Sequence, residues 1–161
     1  MFIMKKLSAV FAALLVMLYS AAAFAANPSS IGIGEASSAV DLIVVRKPET
    51  KNSATLKKTY GITGTGKNGV KVAYYRFNGS SYIALRDQSD NVAQTKIGNA
   101  GVFYKQVSLN EGHNRFAVRA ENASGAHQTV YFDINVLNQQ VMNNVNGFSN
   151  GIQSLYNGWM S

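Results

Sequence analysis

Hydrophobic and polar residues alternate through most of the middle of the chain, in short runs of strand length. In residues 70–77, Val70, Val72 and Tyr74 share one side of an extended strand, and Lys71 marks the opposite side as outward. Seven such runs, separated by Gly, Asn, Asp and Ser clusters, predict an all-β sandwich of about seven strands. The predicted strands are 41–46, 56–63, 70–77, 81–87, 101–109, 114–122 and 127–137.

The same alternation predicts which side chains form the core. Along the sixth and seventh predicted strands, every second residue is apolar, and these residues should point inward. They are Phe116, Val118, Ala120, Val130, Phe132, Ile134 and Val136. In a sandwich of this kind the third, sixth and seventh strands are neighbours in one sheet, so their outward side chains should form one surface.

Both ends of the chain differ from this pattern. Lys5 and Lys6 precede a long apolar run that ends in Ala23-Phe24-Ala25, which is typical of a bacterial secretory signal peptide over residues 1–25. An uncleaved membrane anchor is the alternative for this run, because about 20 apolar residues span a bilayer. Residues 26–40 are small and rich in Ser and Gly, which predicts a flexible lead-in before the sandwich of residues 41–137.

Residues 138–161 carry no charge and have a helical apolar stripe. Glycines at positions 147, 151 and 158 make an isolated helix marginal, so we expect this amphipathic segment to need a partner surface. Its own sandwich, a second copy and a membrane are the alternatives, and the first two are favoured because interfacial helices usually carry Lys or Arg. The stripe, a candidate for self-association, consists of Val141, Val145, Phe148, Ile152, Leu155 and Trp159.

Several short motifs carry a resemblance to a known family. They are Lys47-Pro48, Ile62-Thr63-Gly64-Thr65, Val70-Lys71-Val72, Glu111-Gly112-x-Asn114 and Phe116-Ala117-Val118-Arg119-Ala120-Glu121-Asn122. With them, residues 44–137 resemble the extracytoplasmic Ig-like domains of bacterial surface and secreted proteins. The resemblance implies an Ig-like or fibronectin-III-like sandwich that serves as a spacer, an adhesion module or a carbohydrate-contacting module. The chain departs from antibody-type domains because it has no cysteine pair and its one Trp lies outside the strands.

Composition and charge narrow the classes of partner. A hydrophobic content of 47% with 14% charged residues predicts a packed domain, and the absence of Cys excludes disulfides and thiolate sites. The formal charge of +7 falls to +5 when Lys5 and Lys6 leave with the leader. Residues 46–76 hold most of the excess, with Glu49 as their one acid. Outside the cytoplasm such a basic stretch favours an anionic partner, although an ordinary solvated surface is the alternative.

Motifs for catalysis or cofactors are weak. Residues 64–69 match G-x-G-x-x-G, but an alternating strand follows where nucleotide binding needs a helix, so we predict a hairpin turn. His113 and His127 lack enough neighbouring ligands for a metal site, and the acids Asp87 and Asp90 lack calcium-loop spacing. We therefore expect no enzyme activity, no cofactor, no metal and no specific nucleic-acid binding.

The sequence thus predicts a secreted or envelope-located Ig-like module for binding or adhesion, with no membrane span once the leader is removed. Its partner is expected to be an anionic envelope glycan or another envelope protein, because aromatic rings stack on sugars while Lys and Arg pair with anions. The alternative is a structural subunit that forms homo-oligomers through the C-terminal segment or a sheet edge. The candidate ligand-binding residues are Lys57, Lys58, Lys71, Tyr75, Phe77, Arg115, Arg119 and Tyr131.

Overall fold

The computed structural model describes residues 27–39 and 41–159, so the predicted leader lies outside the described residues. The described part is mostly β, followed by one helix. The strands are β1 (Ser30–Ile31), β2 (Ile43–Lys47), β3 (Asn52–Thr55), β4 (Thr59–Gly66), β5 (Lys71–Phe77), β6 (Tyr82–Ala84), β7 (Gln94–Lys96), β8 (Val102–Ser108), β9 (Gly112–Glu121) and β10 (His127–Val136); the helix is α1 (Gln139–Trp159).

The strands form two sheets. The large sheet has the order β1-β6-β5-β9-β10-β3, and β7 pairs with the first half of β5 on the edge that β6 also uses. The small sheet has the order β2-β4-β8. Among the described strands, β3 and β10 pair in parallel and all the other pairs are antiparallel. The predicted neighbourhood of β5, β9 and β10 is confirmed.

The two sheets pack face to face around one core. Ile62 and Phe103 of the small sheet belong to the same buried cluster as Val72, Tyr74 and Val118 of the large sheet. Phe116 and Phe132 stack there with ring centroids 6.1 Å apart. The inward side chains predicted from alternation along β5, β9 and β10 are therefore confirmed as core residues or residues packed against it.

Residues 27–39 form a third layer, which we call the strap. Rather than hanging free as a flexible lead-in, the strap pairs with β6 through β1 and then crosses the outer face of the large sheet. At its far end the backbone N–H groups of Ser38 and Ala39 donate to the carbonyl of His127, each at 2.9 Å. Ile31 of the strap packs in a second buried cluster with Ala73, Tyr75 and Ala117. The small sheet thus covers one face of the large sheet, and the strap covers part of the other face.

Helix α1 follows β10 after Leu137 and Asn138, as the predicted stripe requires. Its apolar side chains are exposed: Phe148, Ile152 and Leu155 are all more than half exposed, and Trp159 is 91% exposed. Of the two favoured alternatives for the stripe, docking on the chain's own sandwich is therefore wrong for Phe148, Ile152 and Trp159. The side chains of Val141 and Val145 lie outside the described residues.

The glycine-rich segment 64–69 contains the end of β4 and the turn that leads to β5, so a strand follows as expected and no helix N-terminus faces a phosphate. The predicted hairpin is wrong, because β4 and β5 belong to different sheets and do not pair with each other. The glycines of this segment serve packing. A Cβ on Gly64 would overlap the Phe103 ring and the carbonyl oxygen of Val44. Gly69 takes a φ of 83°, the left-handed conformation that side chains disfavour.

Candidate functional site

The structure separates the eight predicted ligand-binding residues into several groups. Phe77, Arg115 and Tyr131 come together on the uncovered part of the outer face of the large sheet, as expected. Lys57 lines a cleft beside the small sheet. Lys58 forms an exposed ion pair with Glu111 at 3.6 Å. The remaining three, Lys71, Tyr75 and Arg119, lie in the other half of the large sheet.

Tyr75 and Arg119 are not available to a ligand, and their prediction as outward, solvent-facing residues is wrong. Tyr75 is 0% exposed and Arg119 is 6% exposed, because the strap lies over them. The Tyr75 hydroxyl donates to the carbonyl of Pro28 at 2.9 Å. Burial raises the pKa of Tyr75 far above its ordinary value, so its phenol is neutral. Lys71 lies opposite Glu121 and Lys96 in the strand register, apart from the Phe77 group.

Arg119 instead holds the strap to the sheet. Its Nη1 donates to the Glu121 carboxylate and, at 2.9 Å, to the side-chain oxygen of Asn27. Its Nε lies 3.4 Å from the Glu35 carboxylate. Glu121 is also buried, so the guanidinium neutralises a carboxylate that water does not reach. The arrangement is structural, because each group is occupied by another part of the chain.

The uncovered part of the outer face forms a cleft of about 350 Å³, which we call the outer cleft. Tyr82 lies between Phe77 and Tyr131, with ring centroids 5.1 Å from each. The Arg115 guanidinium lies over the Phe77 ring, 5.3 Å from its centroid. Lys51 lines the opposite side of the cleft. Tyr82 is only 7% exposed and Phe77 does not line the cleft, so the groups open to a ligand are the partly exposed ring of Tyr131 and the cations Lys51 and Arg115.

Polar groups complete the outer cleft. Asp133 lines it and is paired with His113, whose Nδ1 lies 2.9 Å from the Asp133 carboxylate. Burial raises the pKa of Tyr82, Arg115 lowers it, and Asp133 raises it, with burial the largest effect. The Tyr82 phenol is therefore neutral at physiological pH and can donate a hydrogen bond.

A second cleft, of about 500 Å³, lies where β3 meets the small sheet, and we call it the basic cleft. Lys47 and Lys57 line it together with Tyr60 and Tyr104. The Lys47 ammonium is 5.8 Å from the centroid of the Tyr60 ring. Burial raises the pKa of Tyr60, and the nearby Glu49 carboxylate raises it further. Tyr104 is 57% exposed, so one ring face is open to a ligand.

Gly61 forms the floor of the basic cleft. A Cβ at this position would lie 2.8 Å from Cε2 of Tyr104, so a glycine here lets the ring of Tyr104 lie across β4. Sequence reasoning identified Lys57 but missed Lys47, Tyr60 and Tyr104 as one group. The usable signal was alternation in residues 101–109, which places Tyr104 on the outward side between Val102 and Gln106.

Groups typical of metal binding or catalysis are not assembled in the part of the chain that the structure describes. No set of three or more His, Asp or Glu side chains is close enough to hold a metal ion within residues 27–39 and 41–159. His127 is used by the strap: its ring nitrogens lie 3.0 Å from the Ser38 hydroxyl and 3.1 Å from the Ala36 carbonyl oxygen.

Comparisons with known proteins add little. No family model matches the chain, and no curated protein sequence matches it. Among solved structures, the chain is similar to the PmoD soluble domain from Methylocystis sp. ATCC 49242 (Rockwell), with 14% identity and a TM-score of 0.34 over 57% of this chain and 88% of that one. A likeness of this size carries no argument about function. None of the helices in the described ranges is long and apolar enough to cross a membrane.

Proposed function

We propose that the chain is an exported, non-catalytic Ig-like module that binds an anionic glycan of the bacterial envelope in its basic cleft. The observation that carries the proposal is the composition of this cleft: two lysines and two tyrosines line it, and no described carboxylate does. The signal-peptide pattern of residues 1–25 supports export.

Strand order supports the Ig-like assignment. In Ig domains, strands A, B, E and D share one sheet, while C, F and G form the other, to which variable-type domains add C′. The orders β2-β4-β8 and β6-β5-β9-β10 match A-B-E and C′-C-F-G in chain order. The chain departs from the pattern at strand D, because β7, which lies between β6 and β8 in sequence, pairs with β5 in the large sheet. The parallel pairing of the short strand β3 with β10 adds one further strand beside the last strand of the second sheet.

The side chains of the basic cleft suit an acidic sugar. The open face of Tyr104 offers an apolar surface for a sugar ring, and the ammonium groups of Lys47 and Lys57 offer charge to a carboxylate or sulfate. Thr55, Thr59 and Gln106, which also line the cleft, supply hydroxyl and amide groups for sugar hydroxyls. Because both lysines are exposed, their attraction to a ligand is screened by salt.

Charge-neutralising variants of the basic cleft should weaken retention on an anionic polysaccharide. We expect the double variant Lys47→Gln/Lys57→Gln to elute from immobilised polygalacturonate at clearly lower salt than the unmodified protein, because two lysine–carboxylate contacts are lost. The matched control is Lys67→Gln/Lys96→Gln, which removes the same charge at exposed positions outside the cleft. The measurement is the salt concentration at elution.

A second variant separates a built site from simple ion exchange. Tyr104→Ala changes no charge but removes the open ring, so it should also lower retention. Equal losses from the cleft pair and the control pair, with no loss from Tyr104→Ala, would mean that only net charge matters, and the proposed function would be wrong.

A second candidate function is that of a structural subunit, and the exposed stripe of α1 favours it. Phe148, Ile152, Leu155 and Trp159 project into solvent from a helix that carries no charge. Their steps of three and four residues match the heptad spacing with which one helix packs on a second copy of itself. In this function the stripe packs against α1 of another molecule of the same protein.

Light scattering tests this candidate. We expect the mature protein at micromolar concentrations to have a mass above that of one chain. The double variant Ile152→Asn/Leu155→Asn should have the mass of a single chain, because polar groups replace two apolar contacts between the helices. Asn150→Ser, on the polar side of the helix, is the control and should leave the mass unchanged. A single-chain mass for the unmodified protein at all concentrations would contradict the structural role.

A further inference from the structure

The basic cleft and the outer cleft are adjacent rather than isolated. The segment that joins β2 to β3 runs past both of them: Lys47 and Ala54 line the basic cleft, whereas Lys51 and Asn52 line the outer cleft. Asn52 and Ala54 are two residues apart on β3, a separation of about 7 Å along an extended strand. The linings of the two clefts therefore approach each other within a few residues of one strand.

A small hollow of about 140 Å³ lies between them along the same segment. Pro48, which follows Lys47 directly, lines one end of the hollow. Lys51 and Tyr131 line both the hollow and the outer cleft. From Lys47 to Asn52, the chain therefore passes the basic cleft, the hollow and the outer cleft in that order.

The two clefts also share part of their chemistry. Each combines a tyrosine ring that is not buried, Tyr104 in the first and Tyr131 in the second, with exposed cations. The cations are Lys47 and Lys57 in the first cleft and Lys51 and Arg115 in the second. The outer cleft differs in that Asp133 also lines it, with its carboxylate held against His113. Both have volumes in the range of about 300–1,000 Å³ that is usual for sites that hold one small ligand. Two similar sites side by side suit a ligand with a repeating structure better than two unrelated ligands.

We infer that the outer cleft is a second subsite for the anionic glycan, so that the ligand is a polymer whose sugars occupy both clefts at once across the Lys47–Asn52 segment. The inference rests on the proposed function. It assigns Arg115, Lys51 and Tyr131 to the second subsite and identifies the ligand as an extended acidic polysaccharide rather than a single acidic sugar.

Joining two subsites through one ligand changes affinity in a characteristic way. Once one part of a polymer is bound, the neighbouring part is held at high effective concentration near the second subsite, which can raise affinity by about 10²–10⁴-fold. A ligand too short to reach both clefts gains nothing from the outer cleft. The Glu49 carboxylate lines the hollow and would repel the carboxylate of a sugar bound there. Removal of this negative charge should therefore raise the affinity for a fully charged polymer.

Calorimetric titration with oligogalacturonates of two lengths, a trimer and a dodecamer, tests the inference at one low salt concentration. We expect Arg115→Gln/Lys51→Gln to bind the dodecamer at least about tenfold more weakly than the unmodified protein does, and to bind the trimer equally well. A long oligomer binds any single site more tightly because it offers more sugars to that site. Comparing the variant with the unmodified protein on the same oligomer removes this effect. Glu49→Gln should bind the dodecamer more tightly.

Controls keep the two proposals apart. Lys67→Gln/Lys96→Gln removes equal charge outside both clefts and should leave the affinities for trimer and dodecamer nearly the same as those of the unmodified protein. If the outer-cleft variant binds the dodecamer as tightly as the unmodified protein does, the inference of a second subsite is wrong. In that case, loss of trimer binding in Lys47→Gln/Lys57→Gln would still support the proposed function of the basic cleft. If the unmodified protein binds neither oligomer, the proposed function fails together with the inference.

Discussion

Replacement of Arg119 by methionine is expected to lower the free energy of unfolding by about 3–5 kcal/mol, because Glu121 would keep a buried charge without its cation. Arg119 and Glu121 are 6% and 5% exposed, so solvent does not replace the lost partner. Methionine retains most of the aliphatic volume of arginine, which limits the effect of a cavity. Equilibrium unfolding in urea measures the change.

The double variant Arg119→Met/Glu121→Leu is the matched control for this interpretation. Removing both charges leaves no buried carboxylate without its cation, and Glu35, which is partly exposed, keeps its hydrogen bond from Thr129, so we expect most of the lost stability to return. A double variant no more stable than the single variant would show that Arg119 stabilises the fold by packing rather than by neutralising Glu121. The strap should also become sensitive to proteolysis in the single variant, because Glu35 and Asn27 lose contacts with Arg119.

Replacement of Gly64 by alanine is expected to cost about 3 kcal/mol or more. The added methyl group would overlap the Phe103 ring and the carbonyl oxygen of Val44, and the second of these belongs to the backbone of the neighbouring strand β2. Since overpacking normally costs about 1–3 kcal/mol when side chains can move, an overlap with a strand backbone belongs at the upper end or beyond.

Gly98→Ala provides the control for the Gly64 substitution. A Cβ at Gly98 meets no atom within 4 Å, and its backbone is not left-handed, so this change should alter stability by less than about 0.5 kcal/mol. Thermal unfolding of the two variants side by side gives the comparison. Equal melting temperatures would mean that β2 and Phe103 shift easily, in contradiction to the tight packing described above.

Much of the fold was predictable because six of the described strands have five to ten residues, long enough to show as apolar-rich runs, and β6 lies within the seventh such run, 81–87. The strands that were missed, β1, β3 and β7, are two to four residues long, and β3 and β7 are polar, with sequences NSAT and QTK. Strands this short have too few residues to show a period of two. They form because longer neighbours, β6, β10 and β5, supply the pairing.

The burial of Tyr75 shows why the outer face was misjudged. Lys71 at one end of β5 indicated a solvated face, yet residues 72–75 are apolar on both sides, as in a strand that is covered on both faces. The covering strap has no periodicity of its own, since it is made of Ser, Gly and other small residues. Its position is determined by long-range contacts, such as those with Arg119, which local patterns do not reveal.

The candidate site was predictable only in part for a related reason. Phe77, Arg115 and Tyr131 were found because alternation on three neighbouring strands places them on one face. The basic cleft instead combines residues that are up to 59 positions apart, Lys47 and Gln106, through the pairing of β4 with both β2 and β8. Such a combination requires the strand registers, and these cannot be read from composition or charge.

The contacts between the strap and β10 join residues about 90 positions apart in the chain: Ser38 with His127, and Ser37 with Thr129. The large sheet therefore cannot be completed until nearly the whole chain is available. Contacts between residues this far apart in sequence slow folding, because a long loop must close before they can form. The strap is therefore expected to become ordered late in folding, after β9 and β10 have paired.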